Sequence, residues 1–394
     1  MLGCAVAVAH VVIIVCGRTG GVDRQALRPT PLVREDGSVL TEPSGQELAA
    51  AYYADVVKPL LASAFPRLPH AAGRLGSGSD VLGLDDATSR DHDWGLRLTL
   101  FVPPSTEATV DAELRRSLPD TFRGLPTRFA FTGQTDRRHH VDVSTLSDFL
   151  HERLGADPRE GMTASDWLSL TGQAVLEVVA GPIFADDDGE VREARRALQW
   201  YPAEVWRYVL ASDWSRLGEE LPLMGRAADA GDELGSRVIA ARLVHIAMHL
   251  AFLLDRRWAP YSKWFGTLFG RLPLAAEVAD ALVETLDASS WPQRQAALCR
   301  ALQSLLEAQN ALGLGAMDAD AEGTRSGGAV TEATVAFWDR PYRHPDPRIV
   351  ADLMDAVTDP QLRSLAVGAG SVEQRTDNVA VLVDASARRA LIGA

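Results

Sequence analysis

Between residues 91 and 100 polar and apolar side chains alternate one by one. Asp91, Asp93, Gly95, Arg97 and Thr99 fall on one side, and His92, Trp94, Leu96, Leu98 and Leu100 on the other. A period of two marks a strand with one core face and one polar face. The strand is expected over residues 96–102, with both aspartates side by side at its mouth. Upstream, Leu48, Tyr52, Val56, Val57, Leu60, Leu61 and Phe65 recur at helical spacing. They predict an amphipathic helix over residues 41–65, kinked or split by Pro59. Downstream, a short helix over 107–118 and strands over 129–132 and 140–145 complete a small mixed domain. In the last of these strands Val141 and Val143 face one way, Asp142 and Ser144 the other.

After about residue 147 the alternating pattern fades and helical periodicity takes over. Helices are expected over 164–179, 190–198, 202–210, 232–254, 275–287, 292–312, 331–337 and 347–356. The stretch 232–254 is apolar nearly all round, which places it at the centre of a helical domain. Gly231-Asp232-Glu233 ahead of it reads as an N-cap with favourable helix-dipole charge. The run Asp186-Asp187-Asp188-Gly189 reads as a turn. The predicted fold class is therefore α+β: a small mixed-sheet domain over residues 41–150 followed by a larger all-helical domain over 151–394. Residues 20–44 carry Gly, Pro, Thr and Ser without periodicity and read as a linker, so residues 1–40 are expected to be a disordered extension. The apolar run from Cys4 to Cys16 is too short to span a bilayer. It also lacks the preceding positive charge of a secretory signal.

Composition narrows the partners. The chain has 394 residues and a net charge of −14. That balance speaks against a nucleic-acid partner, since phosphate binding needs a basic surface. It suits a cationic small molecule. Lys58 and Lys263 are the only lysines, so each is worth inspecting for a specific role. Cys4, Cys16 and Cys299 have neither metal-ligand nor disulfide spacing, which fits a reducing, cytoplasmic setting.

Chemistry concentrates in Gly76-Ser77-Gly78-Ser79-Asp80 and the Asp91-x-Asp93 pair that follows. Glycines let backbone N–H groups approach a phosphate closely, and the serines add hydroxyl donors. Paired carboxylates on one strand face repel unless a cation lies between them, and magnesium prefers such hard oxygen ligands. No Gly-Lys-Ser/Thr loop is present, so this is not a P-loop. His245 and His249, four apart on a helix, share a face. Without a glutamate after the first histidine they read as packed, hydrogen-bonded residues rather than a metal pair. His139 and His140 read as solvated strand-edge residues.

The Gly-Ser turn followed at this distance by Asp-x-Asp resembles the signature of the nucleotidyltransferase superfamily with a DNA polymerase β-like fold. Several strings resemble, within it, a bacterial family of the DUF4037 type. They are Leu75-Gly-Ser-Gly-Ser-Asp80, Asp91-His-Asp-Trp-Gly95, Ala180-Gly-Pro-Ile-Phe184, Tyr201-Pro202, Gly231-Asp-Glu-Leu-Gly-Ser236 and Ala259-Pro-Tyr-Ser-Lys-Trp-Phe-Gly266. The resemblance spans residues 45–380. It implies a magnesium-dependent transfer of a nucleoside monophosphate from a nucleoside triphosphate to a hydroxyl of a small-molecule acceptor. Asp91, Asp93 and a third acid, Asp142, would be catalytic and hold two magnesium ions. Gly76, Ser77, Gly78, Ser79, Arg97 and Lys263 would bind the nucleotide. Lys263 stands among Trp258, Tyr261, Trp264 and Phe265, which offer stacking surfaces. Two alternatives stay open at this stage: a nucleotide-binding regulatory module without turnover, and an antitoxin-like enzyme that modifies a protein.

Overall fold

The computed structural model describes residues 43–86, 88–90, 93–314 and 329–393. Residues 1–40 and Asp91, on which expectations were placed, lie outside the described residues. The chain enters through a helix, Gly45–Tyr52, with a capping box in which Ser44 and Glu47 satisfy each other's backbone N–H. The predicted break near Pro59 is present in an unexpected form. The chain widens into a π-helical turn over Tyr53–Val57 and resumes as Lys58–Ala64. Proline has no N–H to give to the preceding turn, and a local π bulge absorbs the mismatch.

A five-stranded sheet follows. Its strands are β1 Ala71–Gly73, β2 Arg97–Phe101, β3 Arg128–Phe129, β4 Arg138–Ser144 and β5 Ile183–Asp186, in spatial order β3-β4-β2-β1-β5. Only β2 and β4 run parallel, joined by the crossover that contains the helix Glu107–Ser117. β2 is the centre, as its apolar alternation requires. Leu96, Leu98 and Leu100 pack with Leu48, Tyr52, Val110 and Leu114 in one core. On the other side Phe101 enters a second and larger core built by the helices, its ring tilted against Phe149 at 5.1 Å.

The polar face of β2 is not solvated: Arg97 and Thr99 are both buried, Arg97 against Ser77 and Gly78 of the Gly-Ser loop and Thr99 donating to the Leu75 carbonyl. Nor does the strand reach back to the aspartates. It begins at Arg97, and Asp93 lies in the left-handed region at φ +52°. For Asp93 the expectation of a place on a regular strand face is therefore corrected to a left-handed turn preceding the strand. His139 and His140 are also corrected from solvated to buried. β3 takes the edge of the sheet, and His140 is enclosed by Phe129 and Phe131 at 4.1 and 4.0 Å.

The edge strand β5 comes from beyond residue 150, so residues 44–394 close into one compact unit. Its approach explains the string Ala180-Gly-Pro-Ile-Phe184. Pro182 accepts a hydrogen bond from the Arg74 N–H at 3.0 Å. A Cβ on Gly181 would land on the Arg74 carbonyl oxygen, which is backbone and cannot swing aside. Gly181→Ala should therefore lower stability by about 1–3 kcal/mol or more. The measurement is the urea midpoint at constant m; an unmoved midpoint would contradict the tight approach.

In the helical half most predicted segments form. The apolar helix Glu233–Leu254 lies at the core and is N-capped by Asp232, which accepts from the Gly235 N–H. The stretch 164–179 is two helices, Ala164–Leu168 and Gly172–Val179, because Thr171 caps a new start. The helix begun at 203 runs on to Asp229, past Pro222. Residues 331–337 are not helical: Thr334–Ala336 pairs as a strand with Arg343–Pro345. The segment is too short to sustain a helix alone, and its Thr and Val suit a ladder.

Candidate active site

The Gly-Ser loop follows β1 and is shaped by one buried ion pair. Arg74, 2% exposed, meets Asp80, 4% exposed, through two parallel hydrogen bonds of 2.6 and 2.8 Å. Its remaining N–H groups donate to the carbonyls of Leu75 and Ser77. A single guanidinium thus holds both ends of the loop, the bidentate geometry at which arginine excels. From the helical half, the carbonyl of Glu177 accepts the Gly76 N–H at 2.8 Å. Gly76 and Gly78 sit at φ +81° and +133°. At Gly78 the Asp80 carboxylate and the guanidinium groups of Arg74 and Arg97 occupy the space of a Cβ, so glycine is required there.

Arg97 projects from β2 beneath this loop. It is 8% exposed, yet its contacts are loose: 3.3 Å to the Asp93 carbonyl and 3.5 Å to Ser77 Oγ, with Nε unpaired. Phe131 lies under it at 5.2 Å. Burial and the neighbouring Arg74 pull its pKa down to about 10, while Asp80, Asp142 and Asp93 work in the other direction. It stays cationic at neutral pH. Asp93 is half-buried, and its carboxylate accepts the Thr132 N–H at 2.7 Å, tying it to the loop after β3. Asp142 stands exposed on β4, paired in register with Thr99 and so on the face of Arg97.

The helical half closes the other side. The helix Ser262–Phe269 brings Trp264 onto the loop, where its Nε1–H donates to Ser79 Oγ at 3.2 Å. Exposed Lys263 lies beside it, Nζ 4.9 Å from the Trp264 ring. Between the halves is a cavity of about 590 Å³. Ser77, Gly78, Ser79, Asp93, Arg97 and Lys263 all line it; of the described site residues, Gly76 and Asp142 lie outside its lining.

Residues beyond the sequence expectation complete the cavity. His249 lines it, with Nδ1 2.6 Å from Asp213 and Nε2 3.4 Å from Glu373. Asp213 is wholly buried and also accepts from Gln374 and Arg216. Burial disfavours charge on His249, but the two carboxylates outweigh it and raise its pKa to about 10. His245 stacks on Phe265 at 4.7 Å. Burial and then the His249 charge lower its pKa, keeping it neutral. The pair at i, i+4 is thus a hydrogen-bonded and a stacked histidine, and among the described residues no group of three or more His, Cys, Asp or Glu is placed to hold a metal. Arg74, Asp213 and Glu373 carry no local motif. Each acts through partners that only the fold brings near.

Three comparisons bear on this arrangement. Residues 167–265 match the model of DUF4037, a domain of unknown function. The match lies in the helical half and includes the Gly181, Tyr201 and Gly231 strings and all but the last residue of the Lys263 string. No curated protein matches the chain. Among solved structures, it is similar to a nucleotidyltransferase-like protein from Exiguobacterium sibiricum 255-15. That similarity has 14% identity and a TM-score of 0.31, covering 67% of this chain and 78% of that one.

Proposed function

We propose that the protein is a magnesium-dependent nucleotidyltransferase that moves a nucleoside monophosphate from a nucleoside triphosphate to a hydroxyl of a small molecule. The observation that carries this reading is Arg97: a buried, loosely held guanidinium under a glycine-serine loop, facing a cavity. A buried cation with unfilled donors is costly unless an anion completes it. The β- and γ-phosphates would rest on the loop N–H groups and on Ser77 and Ser79; Ser79 accepts from Trp264 and keeps its own O–H to donate. Arg97 from below and Lys263 from the helical side would offset their charge.

The donor set also suits magnesium. Asp93 and Asp142, which both act on the charge of Arg97, would supply hard carboxylate oxygens, and Asp91 is two residues from Asp93. When bound there, magnesium would neutralise charge on the phosphate oxygens. The chain's own part is to align donor and acceptor and to keep water out, as the burial of Arg97 and Thr99 on β2 permits. Asp142 is the candidate to receive the acceptor's hydroxyl proton.

The test is calorimetric titration of ATP, GTP, CTP and UTP with magnesium, on wild type and on Asp91→Ala/Asp93→Ala. At least one nucleotide should bind, and chelation or the double substitution should weaken it by about 100-fold or more. Absence of binding to folded wild-type protein would retire the reading.

A further inference from the structure

Trp94 does not sit where the alternation around it points. That pattern puts it with Leu96, Leu98 and Leu100 on the core face, and it does touch the edge of their core. Yet it also lines the cavity. The backbone on either side explains this. Asp93 lies at φ +52° and Gly95 at φ +150°, so the residue between them is released from the strand's period of two. The ring is held from two directions. Its Nε1–H donates to the Asp85 carboxylate at 3.1 Å, and the Arg90 guanidinium lies over the ring, 4.6 Å from its centroid. Asp85 is buried and fixed in turn: it accepts the Gly45 N–H at 2.7 Å and faces Arg90 at 3.5 Å. Phe265 and Tyr261 line the cavity too. His245 already stacks on the first, and the second is nearly half exposed. Trp94 is thus an aromatic surface locked at its edge, backed by a cation, and set in the same cavity as the Gly-Ser loop.

We propose that Trp94 is the platform on which the nucleobase of the triphosphate stacks, with Arg90 behind the ring. The proposal rests on the transferase reading. Trp94 directly follows Asp93, whose carbonyl accepts from Arg97 beneath the Gly-Ser loop. One cavity therefore offers a nucleotide a place for its phosphates and, beside it, a place for its base. Every base has a π face, so stacking on this ring selects nucleotides as a class rather than one base among them. The guanidinium adds a cation–π contribution to the stack. A ring already fixed by Asp85 loses little rotamer freedom when the ligand arrives. The base then contributes through Trp94 and the phosphates through the loop and Arg97, and the two contributions can be removed separately.

The probes are ATP, GTP, CTP and UTP, the corresponding nucleosides, and inorganic tripolyphosphate, which has the phosphate chain and no base. Each is titrated calorimetrically with magnesium into the full chain. Trp94→Leu should weaken the nucleotides by about 10-fold or more, the size of a lost base–aromatic stack, and leave tripolyphosphate unchanged. Trp94→Phe keeps an aromatic face and should restore most of the loss. Trp94 is only part-buried, so both variants are expected to fold, and circular dichroism checks this. Three results would overturn the platform and leave the transferase reading standing: unchanged nucleotide affinity in folded Trp94→Leu, an equal loss for nucleotides and tripolyphosphate, or a Trp94→Phe variant no better than Trp94→Leu. Nucleosides that bind through Trp94 with no gain from their phosphates would support the platform and retire the transferase reading. Absence of binding by nucleotides and nucleosides alike to folded wild type would overturn both.

Discussion

Asp80→Asn should remove a substantial part of the stability and, with it, the triphosphate affinity proposed for the loop. The substitution keeps size and most of the shape but deletes the charge that faces Arg74. Arg74 is almost fully buried, so its guanidinium would be left without a counter-ion. Breaking one partner of a buried pair costs about 3–5 kcal/mol. The same step frees the loop, whose ends Arg74 holds through Leu75 and Ser77. It also removes one of the carboxylates that support the charge of Arg97. Chemical denaturation measures the first effect and magnesium-nucleotide titration the second. A double replacement, Arg74→Met with Asp80→Leu, separates them. Apolar groups of similar volume should restore much of the stability while nucleotide binding stays lost. A stable double variant that still binds nucleotide would show that the ion pair is not what shapes the loop.

The second large effect is expected at Asp213. Asp213→Asn leaves His249 buried beside Glu373 alone, and the loss should again be about 3–5 kcal/mol near neutral pH. Here pH supplies an independent readout. The His249 pKa is raised in the folded protein to about 10, above its ordinary value near 6.5. Its contribution is therefore fully present below about pH 6.5 and is lost as pH rises towards 10. Wild-type unfolding free energy should fall across that interval, and the fall should be much shallower in Asp213→Asn. Denaturation at both ends of the range in both proteins gives the difference directly. Parallel pH profiles would mean that His249 does not carry the charge.

Much of the fold was legible because its elements are periodic. The alternation from Leu96 to Leu100 placed the central strand, and the apolar run over 232–254 placed the central helix. The Gly-Ser turn was legible as a turn, since glycine supplies the positive φ that Gly76 and Gly78 adopt. Other features have no periodic trace. β1 is Ala71–Gly73, too short and too weakly branched to signal a strand. Asp93 continues the alternation by residue type, but a left-handed turn is invisible to a pattern that assumes extended backbone. The floor of the cavity was illegible for a different reason. The contact between Gly172 and Glu373 joins positions 201 residues apart, and the contact between His249 and Asp213 joins two helices. Neither spacing has a sequence signature.

The edge strand β5 bears on inheritance. Domains are exchanged between genes when each folds by itself, a condition that residues 44–150 do not meet. Residues 44–150 lack the strand that closes their sheet, the Glu177 carbonyl that anchors Gly76, and the Pro182 carbonyl that anchors Arg74. A recombination event between the halves would have to preserve the close approach of Gly181 to Arg74, which a Cβ at 181 would force apart. Separated from residues 151–394, residues 44–150 would keep an unpaired sheet edge at β1 and lose both carbonyl anchors of the loop.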